Sequence, residues 1–307
     1  MDQFDVAIIG GGPAGLAAGI YASRAALKTV LIEKGMPGGL AASTEMIENY
    51  PGFAQGIGGP ELAMQMDAQA RKFGLQVKSA NVETITPSDT GFRIITDDEE
   101  ILAKTVIVAT GAQPQKLAIP GENEFHGRGV SYCATCDGAF FKDKIVAVVG
   151  GGDSAVEEAL YLTKFAQKVY IIHRRDELRA TKILQQRAKD NGKISFLWNT
   201  VVEQINGEAT VKEINIKDVR SGEKKSLQVD GIFIYVGTRP VTETLKGLID
   251  LDERNYILTD ENMCTSRPGI FAAGDVRKKS LRQVVTAVAD GAIAAVSAEK
   301  YLEKLKP

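Results

Sequence analysis

Two cysteines and an aspartate near the middle of the sequence form the group whose residue types could do chemistry. Cys133 and Cys136 have two residues between them, and Asp137 follows directly. A zinc site needs about four ligands, whereas the rest of the sequence adds only Cys264 and two histidines, with no second close pair. Two inert buried thiols are another alternative. The spacing favours a reversible disulfide, because redox proteins use cysteines two residues apart in this way.

Asp137 has a possible chemical role beside this pair. Thiol–disulfide exchange moves protons as well as electrons, and a neighbouring carboxylate can take up or deliver a proton. The Asp137-Gly138 dipeptide is also typical of a turn. The two roles are compatible, so the residues by themselves leave both open.

The N-terminal segment has the pattern of a dinucleotide-binding β-α-β unit. A β-branched strand predicted over residues 6–9 leads into GGGPAG at residues 10–15, and a helix is predicted over residues 16–27. The glycines let the backbone approach a pyrophosphate, and the helix N-terminus offers free N–H groups. The next predicted strand, residues 29–32, ends at Glu33, where a carboxylate can hold a ribose hydroxyl.

The same pattern returns in the second half of the sequence with one informative change. A predicted strand over residues 144–149 precedes GGGDSA at residues 150–155, and a helix over 156–165 and a strand over 169–172 are predicted to follow. This strand ends in the basic segment HRRDELR, residues 173–179, instead of an acid. Paired guanidinium groups bind a 2′-phosphate that a carboxylate would repel, so we expect NADP(H) rather than NAD(H) here. The alternative is a solvated basic turn.

Later segments complete both units. Residues 106–111 resemble residues 233–238, and GIFAAGD at residues 269–275 is predicted to be a strand that ends in Gly-Asp before a long helix over 283–302. A Gly-Asp at a helix start can bind ribityl hydroxyls and place N–H groups on a phosphate. This favours FAD in the first site and leaves NADPH for the second.

These patterns predict an α/β protein with two Rossmann-like dinucleotide-binding domains, the NADPH domain being inserted into the FAD domain. We predict an FAD-binding domain of residues 1–113 and 242–307, and an NADPH-binding domain of residues 114–241 that carries the cysteine pair. Polar connectors with proline, residues 112–121 and 237–245, form a candidate hinge. Because nicotinamide and disulfide would compete for one flavin face, we hypothesise that the inserted domain turns between two poses.

The composition gives no sign of a nucleic-acid or membrane partner. The 307 residues include 37 Lys and Arg and 39 Asp and Glu, a net charge of −2. No apolar run approaches the roughly 20 residues of a membrane helix. Asp2 and Asp5 stand where a secretory signal would carry basic residues, and three cysteines make no disulfide scaffold. We therefore expect a cytoplasmic protein.

As an ordered set, these motifs resemble those of the bacterial low-molecular-weight thioredoxin reductases over essentially the whole sequence. The matching segments are GGGPAG at 10–15, ENYPGF at 48–53, ATG at 109–111, CATCDG at 133–138, GGGDSA at 150–155, HRRDELR at 173–179, GTRP at 237–240, GIFAAGDV at 269–276 and the following Arg282-Gln283. The resemblance implies a homodimeric flavoprotein that passes electrons from NADPH through FAD to the Cys133–Cys136 disulfide and on to thioredoxin. It also implies rotation of the NADPH domain between the half-reactions.

The resemblance further implies roles for individual residues. Cys136 would face the flavin, Cys133 would attack the disulfide of thioredoxin, and Asp137 would be the acid–base group. The residues implied to bind FAD are Gly10, Gly12, Pro13, Ala14, Gly15, Glu33, Gly38, Gly39, Asn49, Val82, Thr110, Gly111, Gly274, Asp275, Arg282, Gln283 and Val284. Those implied to bind NADPH are Gly150, Gly152, Asp153, Ser154, His173, Arg174, Arg175, Arg179 and Arg239.

One departure from the family pattern is visible, and three alternatives stay open. The family usually has Gly-Gly-Gln after the Glu33 strand, with the Gln touching the flavin, whereas this sequence has Gly38-Gly39-Leu40. The alternatives are a reductase for another acceptor, such as a glutaredoxin-like protein or a peroxidase system, a ferredoxin-driven relative, and a flavin-loaded redox sensor. A ferredoxin-driven relative is expected to lack the second glycine motif and HRR, both of which are present here.

Overall fold

The computed structural model describes residues 3–305. Residues 1–2 and 306–307, which include Asp2 and the outer ends of the predicted FAD-binding domain, lie outside the described residues. The chain divides into two compact units, Met1–Gln113 with Arg239–Pro307, and Pro114–Thr238. The second unit is therefore an insertion in the chain of the first.

Strands and helices are numbered in chain order within residues 3–305. The strands are β1 Gln3–Ile9, β2 Thr29–Glu33, β3 Gln76–Ser79, β4 Val82–Ser88, β5 Gly91–Thr96, β6 Glu100–Val108, β7 Ala112–Pro114, β8 Val130–Ser131, β9 Ile145–Gly150, β10 Lys168–Ile172, β11 Ile194–Leu197, β12 Thr200–Gly207, β13 Val211–Asp218, β14 Lys224–Gln228, β15 Gly231–Tyr235, β16 Thr238–Pro240 and β17 Ile270–Ala272. The helices are α1 Pro13–Arg24, α2 Gly59–Lys72, α3 Ala134–Asp137, α4 Asp153–Leu162, α5 Lys182–Asp190 and α6 Val284–Lys304.

The first unit is built on one mixed sheet with the order β3-β2-β1-β6-β5-β4, and β17 also pairs with β6. β1, β2, β3, β6 and β17 are parallel, whereas β4 and β5 add an antiparallel edge. Successive residues of a strand point to opposite faces. Val6 and Ile8 of β1 accordingly pack with α1, α2 and α6, whereas Ala7 and Ile9 pack in a second core on the other face.

The second unit is built on a parallel sheet with the order β11-β10-β9-β15-β8, beside a three-stranded antiparallel sheet, β12-β13-β14. Val146 and Val148 of β9 face α4 and α5. Ala147 and Val149 face the apolar side of β12 and β13. The antiparallel sheet, like β4 and β5 of the first unit, was not predicted from the sequence.

The two parallel arrangements repeat one another, and this confirms the predicted fold class. β3-β2-β1-β6-β17 in the first unit corresponds strand by strand to β11-β10-β9-β15-β8 in the second. In this correspondence β8, which precedes the cysteine pair, is the counterpart of β17, which precedes the Gly274–Asp275 turn. The internal repeat thus extends to strands that the sequence pattern did not align.

Two helices begin three residues earlier than predicted. α1 begins at Pro13 and α4 at Asp153, because Gly12 and Gly152 are the N-cap residues and each helix starts inside its glycine turn. The two connectors pair with each other as β7 and β16. No helix within residues 3–305 combines the length and the apolar character needed to span a bilayer.

Candidate redox and dinucleotide-binding sites

Cys133 and Cys136 form a disulfide in the short turn that follows β8. Their sulfurs are 2.06 Å apart and their Cα atoms 5.4 Å. Cys133 is the N-cap residue of α3, and its Sγ accepts the N–H of Cys136 at 3.2 Å. Cys133 is half-buried and Cys136 is exposed. The disulfide predicted from the spacing is therefore confirmed.

The position of this turn follows from the parallel sheet. β8 runs parallel to β15, and β15 runs parallel to β9, so all three strands end at the same edge of the sheet. The cysteine pair follows β8. The glycine-rich turn at residues 150–152, called the second glycine turn below, follows β9. Both groups therefore lie at the carboxyl edge, where ligands bind in sheets of this kind.

Ser131 and Tyr235 hold the cysteine turn, and sequence reasoning missed both. The Ser131 hydroxyl donates to Oδ2 of Asp137 at 2.7 Å. The Tyr235 hydroxyl accepts the N–H of Ala134 at 2.8 Å and bonds the carboxyl of Glu158 in α4. Burial, and then Glu158, raise the pKa of Tyr235 above its ordinary value, which keeps this hydroxyl protonated. No local sequence pattern predicts either contact.

The first glycine turn joins β1 to α1 and leaves an open backbone surface. Gly10 has φ +105°, and a Cβ there would lie 2.4 Å from the carbonyl oxygen of Ala109. A Cβ at Gly15 would lie 1.9 Å from the Gly10 oxygen, so this glycine lets α1 pack closely. At Gly12 the nearest atom would be 3.9 Å away. Gly12 has no side-chain cap and Pro13 follows it, so the first N–H groups of α1 are available to a ligand.

Glu33 ends β2 and turns its carboxylate back to this glycine turn. Its Oε2 accepts the N–H of Gly11 at 2.7 Å. The N–H of Gly38 donates to the Gly11 oxygen at 2.8 Å, which brings the Gly38-Gly39 loop beside the turn. Leu40, the departure from the family pattern, follows with 46% of its surface exposed.

The Gly274–Asp275 turn lies against the first glycine turn. A Cβ at Gly274 would approach the Cβ of Ala14 to 2.9 Å. Oδ1 of Asp275 is buried and has no hydrogen-bond partner among the described residues, and burial raises the pKa of this carboxyl above its ordinary value. The turn is anchored from α6, because Oδ2 of Asp290 accepts the Gly274 N–H at 3.1 Å. A buried polar atom without a partner is costly, and a ligand hydroxyl would satisfy it.

Asn49 and Gln283 join two further segments predicted to bind FAD. Asn49 Nδ2 donates to Gln283 Oε1 at 3.0 Å, and the loop around Asn49 lines a cavity of ≈ 460 Å³. Gln283 is the N-cap residue of α6, which begins at Val284. The buried Nε of Arg282 has no hydrogen-bond partner within residues 3–305. These side chains therefore offer polar atoms that a bound cofactor could use.

Three other residues implied to bind FAD lie after β6 and at the start of β4. The Thr110 hydroxyl donates to the Val241 oxygen at 2.7 Å, and the Val241 N–H donates to the Gly111 oxygen at 3.1 Å. Val82 begins β4, two residues after Ala80, whose N–H donates to the main-chain oxygen at the end of β2. Thr110 and Gly111 thus follow β6, the strand beside β1, and Val82 lies near the end of β2.

The second glycine turn repeats the geometry of the first. Gly150 has φ +151°, and a Cβ there would lie 2.4 Å from the Tyr235 oxygen. At Gly152 no atom lies within 4 Å of a Cβ position. Asp153 begins α4, and its Oδ1 accepts the N–H of the residue that precedes α5 at 2.7 Å. Ser154 is exposed in the first turn of α4.

The basic segment after β10 surrounds a buried histidine. His173 is 5% exposed, and its Nε2 has no hydrogen-bond partner in the described part of the chain. Burial, then Arg179, Arg175 and Arg174, lower the pKa of His173, which favours the neutral ring. The three arginines are exposed, and no carboxylate of residues 3–305 pairs with them. A Cβ at Gly151 would lie 2.4 Å from the His173 ring, and the Arg179 N–H donates to the Gly151 oxygen at 2.6 Å, so the basic segment packs against the glycine turn.

Arg239 belongs to a different unit from the other residues implied to bind NADPH. It belongs to β16 and to the first unit, whereas the other eight belong to the second. Its guanidinium group lies 3.6 Å from Glu243 and donates to Gln113 at 3.3 Å. The remaining cysteine, Cys264, is a half-buried free thiol, and burial and then Asp260 raise its pKa. No group of three or more metal-ligating side chains occurs within residues 3–305.

The profile of the pyridine nucleotide-disulphide oxidoreductases matches residues 4–291. This chain belongs to that family. It is 50% identical over 304 residues to the thioredoxin reductase of Bacillus subtilis (strain 168). This alignment covers 99% of this chain and 96% of the relative. The crystal structure of Lactococcus lactis thioredoxin reductase matches with a TM-score of 0.96 at 50% identity, covering 98% of this chain and 99% of that one. The crystal structure of T. acidophilum thioredoxin reductase matches with a TM-score of 0.94 at 37% identity over 100% of both chains.

These similarities confirm the predicted resemblance, and the chain is an oxidoreductase of the pyridine nucleotide-disulphide oxidoreductase family. The family implies a flavin and a nicotinamide cofactor. The described residues fit such groups. Each glycine turn is open at its N-cap glycine, and the unpartnered atoms of Asp275, Arg282 and His173 lie on segments predicted to bind them.

Proposed function

We propose that this family member is an NADPH-dependent thioredoxin reductase with FAD as its flavin. The observation that carries the proposal is the Cys133–Cys136 disulfide at the carboxyl edge of the sheet that also bears the second glycine turn. One compact unit thus presents a redox-active disulfide beside a dinucleotide-binding motif. The names of its relatives supply the acceptor, thioredoxin.

FAD would be held by the first unit. The open N–H groups at the start of α1 suit its pyrophosphate, and the Glu33 carboxylate is placed for a ribose hydroxyl. Asp275, with its unpartnered buried oxygen, would bind a ribityl hydroxyl, and Arg282 and Gln283 would complete the site. When bound, the two cofactors supply two-electron transfer from the nicotinamide to the disulfide.

NADPH would be held by the second unit. The backbone at Gly152 has open space for a pyrophosphate. Arg174, Arg175 and Arg179 are guanidinium groups without carboxylate partners in the described residues, which suits the 2′-phosphate that distinguishes NADPH from NADH. The neutral His173 beneath them adds no further positive charge.

The chain's own residues would carry the second half-reaction. The Cys133 thiolate attacks the disulfide of thioredoxin, and the N–H of Cys136, which bonds the Cys133 sulfur, favours negative charge there. Cys136 then attacks Cys133 and releases reduced thioredoxin. Asp137 takes up a proton from each attacking thiol and delivers it to each leaving thiolate.

Rotation of the second unit between the half-reactions stays a prediction. Its physical reason is that the unit carries both the disulfide and the NADPH motif, and each needs the flavin of the first unit in turn. The paired β7 and β16 are the segments on which it would turn. A homodimer and a cytoplasmic location likewise stay predictions from the family resemblance and the composition.

The test is an anaerobic titration of the purified flavoprotein with NADPH, on the wild type and on Cys136→Ser. The flavin and the cysteine pair each hold two electrons, so the wild type should take up four and then reduce thioredoxin. Cys136→Ser should stop at two electrons and leave thioredoxin oxidised. Cys264→Ser is the matched control, because this thiol lies in the first unit, and it should behave like the wild type.

Three other results would contradict the proposal. A wild type that also stops at two electrons would place the cysteine pair outside the electron path. A flavin that NADPH does not bleach would favour the ferredoxin-driven alternative. Full reduction followed by no transfer to thioredoxin would favour another disulfide acceptor.

A further inference from the structure

Ser131, a residue that no sequence pattern singled out, lies at the centre of the polar contacts around the redox turn. It ends β8 and is 3% exposed. Its hydroxyl lies 2.7 Å from Oδ2 of Asp137 and 3.2 Å from the Cys133 carbonyl oxygen, and it accepts the Cys133 N–H at 3.1 Å. One buried side chain therefore contacts both the attacking cysteine and the acid–base group.

The hydrogen-bonding capacity of a serine decides which of these contacts is made. A hydroxyl has one hydrogen to donate and two lone pairs to accept with. The Cys133 N–H donates to one of these lone pairs. The single hydrogen of the hydroxyl can then go to the Asp137 carboxylate at 2.7 Å or to the Cys133 carbonyl oxygen at 3.2 Å. Bonds to a charged acceptor are shorter and stronger, so the hydrogen goes to Asp137.

We propose that Ser131 is a positioning residue that orients the Asp137 carboxylate for proton transfer during thioredoxin reduction. The inference rests on the proposed function. Asp137 is partly exposed, and its main chain is fixed by the bond from its N–H to the Cys133 oxygen at 3.2 Å. The Ser131 hydroxyl fixes the side chain by Oδ2. Oδ1 has no hydrogen bond within the described residues, so it is the oxygen available to carry a proton.

Other groups near Asp137 do not fill this role. Tyr235 of β15 faces both Asp137 and Glu158 of α4, but its hydroxyl already accepts the Ala134 N–H and bonds Glu158. The Ser131 hydroxyl contacts the Asp137 carboxylate directly, at 2.7 Å from Oδ2. Orientation of a catalytic group within about an ångström changes rates strongly, because it replaces an entropy cost in the transition state.

Ser131 acts in the reduction of thioredoxin by the enzyme's cysteine pair. The dithiol of the reduced enzyme and the disulfide of thioredoxin become the Cys133–Cys136 disulfide and a thioredoxin dithiol, with two electrons and two protons transferred. Attack by Cys133 breaks the thioredoxin S–S bond and forms a mixed disulfide. Attack by Cys136 on Cys133 breaks the mixed disulfide. In each of the two steps, Asp137 passes one proton from the attacking enzyme thiol to the thioredoxin thiolate that leaves.

The experiment measures this half-reaction alone. The flavin-loaded enzyme is reduced anaerobically with NADPH, mixed with oxidised thioredoxin in a stopped-flow instrument, and followed over a single turnover at several thioredoxin concentrations. The variants are Ser131→Ala, Ser131→Thr, Asp137→Asn and the double variant Ser131→Ala with Asp137→Asn. Ser195→Ala is the matched control, because Ser195 lies on β11 at the opposite edge of the same sheet.

Loss of one hydrogen bond to a charged group predicts that Ser131→Ala slows the saturated rate about tenfold. The thioredoxin concentration at half-saturation should not change, because Ser131 is too buried to touch a partner. Ser131→Thr should restore the rate to within about twofold, since it keeps the hydroxyl and suits a strand. In the Asp137→Asn background, Ser131→Ala should slow the saturated rate by less than about twofold further, because the partner of Ser131 is already changed.

Three results would overturn the proposal. The first is an unchanged rate of thioredoxin reduction in Ser131→Ala. The second is a full additional loss of this rate when Ser131→Ala is added to Asp137→Asn. The third is a slowing of flavin reduction by NADPH in Ser131→Ala that equals the slowing of thioredoxin reduction. The last two would indicate damage to the whole turn or unit rather than to proton transfer. Failure of the proposed function looks different, because the wild type and Ser195→Ala would then also fail to reduce thioredoxin.

Discussion

Asp290 of α6 is a buried carboxylate on which two cations and one backbone N–H converge, next to the turn proposed to bind FAD. It is 7% exposed. Oδ1 accepts from Arg277 at 3.1 Å, and Oδ2 accepts from Lys279 at 2.7 Å and from the Gly274 N–H at 3.1 Å. The Arg277 and Lys279 side chains are only 13% and 8% exposed. Asp290→Ala would leave both cations buried without this partner.

The cost follows from the burial. Removing one partner of a buried ion pair costs about 3–5 kcal/mol, because the remaining charge stays desolvated. In a unit of this size each kcal/mol lowers the melting temperature by about 2–4 °C, so a fall of roughly 10 °C is expected. Asp290→Asn keeps the shape and one acceptor oxygen, and should lose about half as much.

The assay follows two reporters of thermal unfolding at once. Flavin fluorescence, which rises on release, reports the first unit. The single tryptophan, Trp198, reports the second. Asp290→Ala should shift flavin release and leave the Trp198 transition nearly unchanged. Arg71→Ala is the control, because it breaks a pair in the first unit in which Arg71 is 48% exposed, and it should cost less than about 1 kcal/mol.

If Asp290→Ala costs no more than Arg71→Ala, the buried pair contributes nothing and this prediction is wrong. It is also wrong if the Trp198 transition shifts as much as flavin release. In that case the damage would not be local to the Gly274 turn.

Three further predictions follow from the second unit. Gly152→Ala should keep the melting temperature but raise the KM for NADPH about tenfold, because its methyl group would fill open space where we propose that the nucleotide binds. Gly150→Ala should instead lower the melting temperature, since the φ of Gly150 is +151°. Arg174→Ala combined with Arg175→Ala should reduce the kcat/KM preference for NADPH over NADH by about 100-fold, the loss of two charge-assisted contacts. Tyr235→Phe should cost about 1–3 kcal/mol in the Trp198 unfolding transition, because an N–H of α3 and a carboxyl of α4 lose their shared hydroxyl.

Several features of the sites could be predicted because they are local in sequence. A glycine turn between a strand and a helix is determined by which residues tolerate its backbone, so the segments at Gly10 and Gly150 were recognisable. The helix starts were three residues late, because a helix in such a turn begins at the residue after the N-cap glycine, before the apolar pattern becomes visible. Strands β12 to β14 were missed, since the formation of antiparallel strands depends on packing more than on local preference.

The sequence by itself determined the two nucleotide motifs, the redox-active pair at Cys133 and Cys136, and the family. Each depends on residues that are neighbours along the chain. The tertiary structure alone decided which side chains support them. Ala134 meets Tyr235 across 101 residues of sequence, and Asp290 reaches Gly274 across 16. Ser131 contacts Asp137 because the turn after β8 folds back on the end of that strand. Such contacts depend on strand pairing and helix packing, which no local pattern of residues specifies.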